Sequence, residues 1–387
     1  MKKISILGAT GSIGKSALKI IDNFNNDISL IAVSTHSNID NLLKIIEKYR
    51  PLYAVISDEK MMKDYFSSYN TTYFDIPIYS GTDGIMKVCS DKRNSIILNG
   101  ISGKAGLNPS IEIVKNGIDI AMANKESIVC AGPILKKLSL ENNCKIIPVD
   151  SEHSAIFNLL KNQESINIEN LILTASGGPF LKLDKDKWNQ ITVEDALNHP
   201  TWKMGNKITI DSATMSNKGL EVIEAKELFG FPLSKVKVVI HPQSLVHSMI
   251  ETIDGEIYAQ IGVNDMSIPI MNAIFYPTYK NNDFSKFDFS KPFSFDFMPV
   301  DLKKFKMLAL AYTCGDIGGL YQTLFNTTNE YLVNKFLNGE ISFIDIEVYT
   351  EKVVDIFLKN NLNENELTLE NINIVDIIVE RKLDEII

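Results

Sequence analysis

Residues 4–24 have the sequence ISILGATGSIGKSALKIIDNF, and this stretch decides the fold. The apolar run Ile4–Leu7 predicts a buried strand, and Ile13–Phe24 predicts a helix. Between them the glycines follow a G-x-x-G-x-x-G spacing. Gly11 lets an anion approach the backbone, and Gly14 lets the helix pack close to the strand, while free N–H groups at the helix start face the anion. The unit predicts a nucleotide site; the alternative is a tight turn without a ligand.

Short apolar runs alternate with helical stretches over the rest of the first half. Such alternation predicts a parallel sheet covered by helices on both faces. The further predicted elements are strands at Ile28–Val33, Tyr53–Ile56, Ile96–Leu98, Ile118–Met122 and Lys145–Val149, with a helix at Asn41–Tyr49. The fold class is therefore α/β, with a Rossmann-like dinucleotide-binding domain over residues 1–149.

The pattern changes from about residue 150, where predicted strands are separated by longer polar loops. We expect a central α/β catalytic domain over residues 150–275, a linker over 276–301 that contains FDFSKPFSFDF, and a helical domain over 302–387. The predicted strands of the central domain are Leu171–Thr174, Lys207–Ile210, Val236–Ile240 and Glu256–Ile261, and the predicted carboxyl-terminal helices include Glu330–Leu337 and Glu347–Leu358.

Charge and composition exclude several classes of protein. The net charge of −9 argues against broad electrostatic capture of nucleic acid or of an anionic membrane. No signal peptide and no membrane span are visible. The four cysteines lack C-x-x-C spacing, and we interpret them as buried reduced thiols of a cytoplasmic protein.

The end of the second strand indicates which dinucleotide is bound. An acidic residue there would bind the ribose diol of NAD. The chain instead has Ser34, His36, Ser37 and Asn38, with no carboxylate before Asp40. These side chains can donate hydrogen bonds to a 2′-phosphate, which favours NADP.

Two carboxylates follow the strand at Lys145–Val149. Asp150 and Glu152 flank Ser151, and their spacing allows both to converge on one cation. Oxygen donors suit Mg²⁺ or Mn²⁺ better than Zn²⁺. For these three residues alone, a solvated loop without a metal is the better interpretation. The choice between that loop and a metal site therefore depends on other segments of the chain.

Two hydroxyl-rich segments change that balance. The turn at Thr174–Phe180 is rich in small residues, with Ser176 as a hydroxyl donor. If a helix begins near Asn217, then Asn217, Lys218 and Glu221 share one face. Hydroxyl, amide and ammonium donors together make a phosphate cradle, and Glu221 would complete the metal shell.

The segment His199–Gly205 combines an imidazole, an indole, a thioether and a glycine. Trp202 is interpreted either as part of a lid over the ligand or as an anchor that fixes a loop to the core. His153, His241 and His247 have no partner pattern that requires a metal, and we interpret them as structural.

Taken together, these segments resemble the 1-deoxy-D-xylulose 5-phosphate reductoisomerase family over essentially the whole chain. The matching stretches are GATGSIG from Gly8, ANKES from Ala123, PVDSEHSAIF from Pro148, ASGGPF from Ala175, HPTWKMGNKITIDSATMSNKGLE from His199, IHPQSLVHSM from Ile240 and FNTTNEYLV from Phe325. The resemblance implies NADPH-dependent, metal-dependent isomerisation and reduction of the sugar phosphate to 2-C-methyl-D-erythritol 4-phosphate, for isoprenoid precursors, by a homodimer. It also implies a flexible flap near residues 199–206 and dimerisation through the central domain.

The resemblance assigns roles to individual residues. Metal ligands would be Asp150, Glu152 and Glu221. Phosphate contacts would be Ser176, Ser212, Asn217 and Lys218. Other substrate contacts would be Lys125, Ser151 and His199, with Trp202 and Met204 in the flap; Lys125, His199 and the three carboxylates would take part in catalysis. Contacts to NADPH would be Thr10, Gly11, Ser12, Ile13, Ser37, Asn38, Asn124, Glu126 and Gly205.

Two departures from the family pattern bear on this assignment. Ser37 stands where the family often has a basic residue, and Ser267 follows Met266 where the family often has an arginine. One alternative function is a metal-dependent phosphosugar isomerase or hydrolase without redox chemistry, which would leave the glycine loop unused. A nucleotide-sensing regulator is the other, and it would leave the carboxylates unexplained.

Overall fold

A computed structural model describes residues 1–161, 163–200, 202, 204–283, 285–359, 362 and 366–387. These residues form two compact units. One unit comprises Met1–Ser127, Pro133–Ser154 and Asp265–Ser285, and the other comprises Ile128–Gly132, Ala155–Asn264 and Lys286–Ile387. The domain boundaries expected from the sequence stay predictions.

Strands and helices alternate through the first half of the chain. They are β1 (Lys2–Leu7), α1 (Ser12–Asn23), β2 (Ile28–Thr35), α2 (Ile39–Tyr49), β3 (Tyr53–Ile56), α3 (Glu59–Phe66), β4 (Thr71–Tyr73), β5 (Ile76–Ser80), α4 (Gly81–Cys89), β6 (Ile96–Asn99), α5 (Leu107–Lys115), β7 (Asp119–Met122), α6 (Lys125–Glu141), β8 (Ile146–Pro148) and α7 (Ser151–Leu160). The strands expected here from apolar runs coincide with β1, β2, β3, β6, β7 and β8.

The first unit is built on an eight-stranded sheet with the order β4-β5-β3-β2-β1-β6-β7-β8. Its neighbouring strands pair in parallel, except that β4 is antiparallel to β5. The strand order reverses beside β1, between β2 and β6. Ligands of open α/β sheets bind at the carboxyl ends of the strands at such a reversal. The predicted Rossmann-like fold is confirmed.

The second half of the chain continues with a mixed set of strands and then helices. They are β9 (Ile168–Ala175), α8 (Val193–Leu197), α9 (Asn206–Thr214), α10 (Ser216–Phe229), β10 (Val236–Ile240), β11 (Val246–Thr252), β12 (Ile257–Ile261), α11 (Ser267–Phe275), β13 (Met298–Pro299), α12 (Lys306–Ile317), α13 (Leu320–Leu337), α14 (Phe343–Lys359) and α15 (Leu369–Ile386). Of these elements, α11 belongs to the first unit.

The second unit combines a five-stranded sheet, ordered β12-β11-β9-β10-β13, with a helical carboxyl-terminal part. In that part α13 contacts α12, α14 and α15. An aromatic cluster supports it, in which the Trp188 ring lies 5.9 Å from that of Phe305 and 5.5 Å from that of Phe343. The helical carboxyl terminus predicted from the sequence is confirmed.

The strand predicted at Lys207–Ile210 is wrong, because these residues belong to α9. The consecutive β-branched residues Ile208, Thr209 and Ile210 suggested a strand. The buried residues instead include Thr209, Ile210 and Ala213, which share one helical face. Strand propensity mostly reflects packing on a pleated surface, and it yields where tertiary contacts favour a helix.

The predicted burial of the four cysteine side chains is confirmed. Cys89, Cys130, Cys144 and Cys314 are buried, and none of the four is joined in a disulfide. Burial raises the pKa of the Cys89 and Cys314 thiols to about 12, so both stay protonated at neutral pH. None of the described helices combines the length and apolar character needed to cross a membrane.

Candidate functional site

The glycine loop between β1 and α1 has the geometry that its spacing predicts. Gly8 has a φ of +77°, which is the left-handed region that favours glycine. A Cβ on Gly14 would lie 2.4 Å from the Cα of Ala9, so the helix contacts the loop with no room for a side chain. A Cβ on Gly11 would lie 3.4 Å from the Gly8 carbonyl oxygen, an ordinary contact. Gly11 and Ser12 are exposed at the start of α1, where an anion would bind.

Hydroxyl groups fasten this loop to the end of β2. The Gly8 amide donates to Ser34 Oγ at 3.1 Å, and Thr10 Oγ1 lies 2.6 Å from Thr35 Oγ1. Ser34 is only 1% exposed, so its hydroxyl supports the loop and does not face a ligand. Ser34 thus drops out of the donors expected for a 2′-phosphate.

Three exposed polar residues follow Thr35: His36, Ser37 and Asn38. Asn38 caps α2, since its side chain accepts from the amide of Asn41 at 3.4 Å. His36 Nδ1 lies 3.0 Å from Ser57 Oγ, which orients the ring. These residues are the accessible donors at the end of β2.

The turn between β7 and α6 holds the next predicted residues. Asn124 is 1% exposed and caps α6 by accepting from the Ser127 amide at 2.9 Å. Its amide group donates to the carbonyls of Ile101 and Gly103, each at 2.8 Å. Asn124 therefore fixes the loop after β6, and Glu126 beside it is buried as well.

Asp150, Ser151 and Glu152 lie where β8 gives way to α7. Lys125 forms a buried ion pair with Asp150, and Ser151 Oγ donates to Glu152 Oε2 at 2.5 Å. Burial acts to raise the pKa of Asp150, but the charges of Lys125 and His153 outweigh it and hold that pKa well below its usual range. Asp150 is thus an ionised, largely buried carboxylate, as a cation ligand requires.

In the second unit, the imidazole of His199 lies within hydrogen-bond distance of two of the predicted serines. His199 Nε2 lies 3.2 Å from Ser176 Oγ and 3.0 Å from Ser212 Oγ. His199 Nδ1 accepts from the Trp202 amide at 3.0 Å, so the proton of the neutral ring belongs on Nε2. Burial lowers the pKa of His199, which favours that neutral form. The result is a compact group of hydroxyl and imidazole donors.

Two glycines shape the turn that carries Ser176. Gly177 and Gly178 have φ of +84° and +66°, and the Gly178 amide donates to Ser176 Oγ at 3.2 Å. A Cβ on Gly178 would lie 2.7 Å from the carbonyl oxygen of Ser212. The turn after β9 therefore approaches α9 at backbone distance, which only glycine permits.

The corner between α9 and α10 carries the remaining phosphate candidates. Met215 alone separates the helices, with a left-handed φ of +64°. In α10, Asn217 and Lys218 both donate to Glu221, whose side chain is 1% exposed. The predicted common face of these three residues is confirmed.

The predicted flap is described only in part, because Thr201 and Lys203 lie outside the described residues. Trp202 and Met204 are half-buried, and exposed Gly205 precedes α9. A cavity of 710 Å³ in the second unit borders Ser176 and Pro200 and is also lined by Lys182, Gln190 and Asn198. Sequence reasoning did not single out these three residues, since a lone amide or lysine in a loop carries no motif.

Comparison with known proteins identifies the family. Models described as 1-deoxy-D-xylulose 5-phosphate reductoisomerase, its C-terminal domain and DXP reductoisomerase C-terminal domain match residues 4–132, 146–229 and 261–381. The reductoisomerase of Clostridium kluyveri is 43% identical over 384 residues, 98% of each chain. That of Macrococcus caseolyticus is 44% identical over 352 residues, 91% of this chain and 92% of the relative.

A solved structure agrees with the sequence relatives. A crystal structure of DOX-P reductoisomerase in complex with NADPH, fosmidomycin and magnesium superimposes with a TM-score of 0.91 at 36% identity, covering 98% of this chain and 97% of that one. The resemblance and the enzyme class expected from the sequence, an oxidoreductase acting as a reductoisomerase, are thereby confirmed. Fold, glycine loop and matched sequence all agree, and the chain therefore belongs to the 1-deoxy-D-xylulose 5-phosphate reductoisomerase family.

Proposed function

We propose that this protein catalyses the NADPH-dependent and divalent-metal-dependent isomerisation and reduction of 1-deoxy-D-xylulose 5-phosphate to 2-C-methyl-D-erythritol 4-phosphate. The product would enter the non-mevalonate route to isoprenoid precursors. The observation that carries the proposal is the donor group of Ser176, His199 and Ser212 in a chain of this family. Neutral donors of this kind bind a phosphate oxygen without requiring a protonated histidine.

The phosphate would be bound by Ser176, Ser212, Asn217 and Lys218. Lys218 adds the positive charge, and its side chain is only 4% exposed, so solvent screens it little. Phosphate binding away from the reacting carbons orients the substrate for reaction. His199 and Ser151 would line the sugar, and Trp202 and Met204 would cover it and exclude water.

Asp150, Glu152 and Glu221 would hold Mg²⁺ or Mn²⁺. The residues fit such an ion, because all three offer carboxylate oxygens, Asp150 is ionised despite burial, and the Glu221 carboxylate is shielded from solvent at 1% exposure. A bound divalent ion supplies Lewis-acid stabilisation of negative charge on substrate oxygens. Lys125, paired with Asp150, orients that carboxylate and offers an ammonium group to the substrate.

NADPH would lie along the glycine loop. Thr10 and Gly11 in the loop and Ser12 and Ile13 at the start of α1 are exposed or half-exposed, which suits the pyrophosphate. Bound NADPH supplies the hydride for the reduction. The further contacts proposed from the family pattern are Ser37, Asn38, Asn124, Glu126 and Gly205. For Asn124, whose amide is fully engaged with neighbouring loops, we expect an indirect effect through the loop it fixes.

The test is NADPH oxidation, followed by absorbance, with 1-deoxy-D-xylulose 5-phosphate in the presence and absence of Mg²⁺ or Mn²⁺. The variant Glu221→Gln should lose at least about a hundredfold in turnover, since even outer-shell partners of metals are worth about 10–100-fold. Glu347→Gln is the matched control, because Glu347 is also a buried carboxylate paired with a lysine, Lys185, at 2.7 Å. Its activity should stay near that of wild type.

Different outcomes separate the alternatives. Metal-dependent conversion of the sugar phosphate without NADPH oxidation would support an isomerase or hydrolase without redox chemistry. Binding of NADPH without turnover would support a nucleotide-sensing regulator. Equal activity of Glu221→Gln and Glu347→Gln would refute the proposed metal ligands.

We also propose a homodimer that forms through the five-stranded sheet. β12 is an edge strand, and Ile257, Tyr258 and Ile261 on it are 57%, 41% and 43% exposed. An apolar, unpaired edge invites pairing with a second copy. Sedimentation should show a dimer that Tyr258→Lys weakens, and a wild-type monomer would refute the proposal. A cytoplasmic location is proposed because the four buried cysteines are not joined in disulfides.

A further inference from the structure

Helix α13 carries an unusual number of polar residues in its buried face. Gln322, Thr323, Asn326, Thr328 and Asn329 are all 0% exposed. Buried polar groups destabilise a protein unless they are hydrogen-bonded, so such a face calls for a reason beyond packing. Two of these residues direct their amides at the helices that form the candidate phosphate site.

Asn329 bonds to a buried carboxylate in α9. Its Nδ2 donates to Asp211 Oδ1 at 2.7 Å, and Lys207, one turn earlier in α9, donates to Asp211 Oδ2 at 2.8 Å. Asp211 is 2% exposed. The bond from Asn329 is thus charge-assisted and shielded from water, which makes it stronger than a surface hydrogen bond.

Gln322 makes a similar bond to α10. Its Nε2 donates to Glu227 Oε1 at 2.8 Å. Helix α13 therefore holds α9 through Asn329 and α10 through Gln322, on either side of the corner at Met215. The bond from Asn329 thus joins the carboxyl-terminal helical part of the second unit to α9 beside Ser212, whereas Glu227 lies near the far end of α10.

The position of Asp211 in the sequence explains how its hydrogen bond with Asn329 can affect Ser212. Asp211 immediately precedes Ser212, and successive residues of a helix point about 100° apart. Asp211 consequently faces α13, while Ser212 faces His199 at 3.0 Å. A rotation or shift of α9 about its axis would move the Ser212 hydroxyl away from the imidazole.

We propose that Asn329 is a positioning residue for phosphate binding, acting through Asp211 on α9 and Ser212. The proposal rests on the phosphate role given above to Ser212. It assigns to the carboxyl-terminal helices a part in substrate binding that does not require them to touch the substrate. A purely structural role would affect folding stability alone.

The experiment compares two substitutions in α13 that each remove one buried hydrogen bond. Asn329→Leu removes the bond to Asp211. Thr327→Val is the matched control, because Thr327 is 3% exposed and donates to Asp376 on α15, away from α9. Each full-length variant is assayed for KM and kcat with the sugar phosphate, for NADPH binding by fluorescence, for thermal unfolding, and for amide hydrogen exchange of residues 206–214.

Asn329→Leu should raise the KM about tenfold or more, because a displacement of about 1 Å in a positioning group can reduce rates about a hundredfold. Exchange in α9 should accelerate, and NADPH binding should not change. Thr327→Val should lower thermal stability and leave the KM and α9 exchange as in wild type. The double variant Asp211→Asn with Asn329→Asp exchanges the two side chains. Its KM should lie between that of Asn329→Leu and that of wild type, since an amide again faces a carboxylate.

Three results would overturn the proposal. These are an unchanged KM and unchanged α9 exchange in Asn329→Leu, an equal rise of KM in Thr327→Val, or no recovery in the exchanged pair. If Asn329→Leu does not fold, the milder Asn329→Ser takes its place. If wild type does not turn over the sugar phosphate, the proposed function fails. In that case α9 exchange and inorganic phosphate binding, compared between the Asn329 and Thr327 variants, still decide whether Asn329 positions an anion site.

Discussion

Replacing Gly14 with alanine would place a methyl group 2.4 Å from the Cα and 2.5 Å from the carbonyl carbon and oxygen of Ala9. Carbon atoms in contact lie about 3.5–4.0 Å apart, so α1 would have to move by more than about 1 Å. Backbone cannot rotate away as a side chain does. Helix propensity alone would favour alanine by about 1 kcal/mol. Overpacking of this kind opposes it with about 1–3 kcal/mol or more. Because the clash is with backbone, the upper end of that range applies, and we expect net destabilisation of about 2 kcal/mol and weakened NADPH binding.

The assay pairs urea unfolding, followed by circular dichroism, with NADPH titration by fluorescence. Gly11→Ala is the control, because its methyl group would meet only the Gly8 carbonyl oxygen at 3.4 Å, with an ordinary φ of −77°. That variant should unfold within about 1 kcal/mol of wild type and yet bind NADPH more weakly, since the methyl group occupies the exposed start of α1. Wild-type stability and binding in Gly14→Ala would refute the close approach of α1 to the loop. Unchanged NADPH binding in Gly11→Ala would refute the placement of the pyrophosphate.

Further predictions concern pH and helix capping. The side-chain hydrogen bond from Arg93 lowers the pKa of Asp91 to about 2, so the contribution of Asp91 to stability is present above about pH 4 and lost as the pH falls towards 2. In Asp91→Asn, the free energy of unfolding measured in urea should therefore fall less steeply over this pH range than in wild type. Burial lowers the pKa of His199, so the unfolded chain binds more protons below about pH 6.5 and stability falls there; in His199→Gln this fall should be shallower. Thr192→Ala removes the capping box with Asp195 at the start of α8 and should cost about 1 kcal/mol in thermal or urea unfolding, with little change in turnover.

The sequence predicts the first unit well because its signals are local. The apolar run before Gly8 and the glycine spacing describe one strand, one turn and one helix, which depend on neighbouring residues. The close contact of Gly14 with Ala9 follows from that spacing. The role of Ser34 in supporting the loop does not, since the hydrogen bond that its hydroxyl accepts from the Gly8 amide depends on how β1 and β2 pair in register.

The second unit is harder to predict because its contacts join distant residues. The common face of Asn217, Lys218 and Glu221 follows from helical periodicity. The wrong strand at Lys207–Ile210 shows the limit, since α9 is stabilised by packing and by Asn329, which lies 118 residues after Asp211. No local pattern marks that pair. Only the family resemblance connects the serines around His199, because the turn after β9 and the carboxyl-terminal half of α9 meet in three dimensions alone.

The single residue between α9 and α10 sets a strict limit on how this region can change in length. Met215 is the whole connection, so an inserted or deleted residue has no loop in which to be absorbed. Each such change would turn α10 by about 100° relative to α9. Asn217, Lys218 and Glu221 would then point in a different direction relative to Ser212. Chains of this type should therefore vary in length elsewhere, in the exposed segment after Phe275 or beyond α14, while the number of residues from Gly205 to Glu221 stays constant.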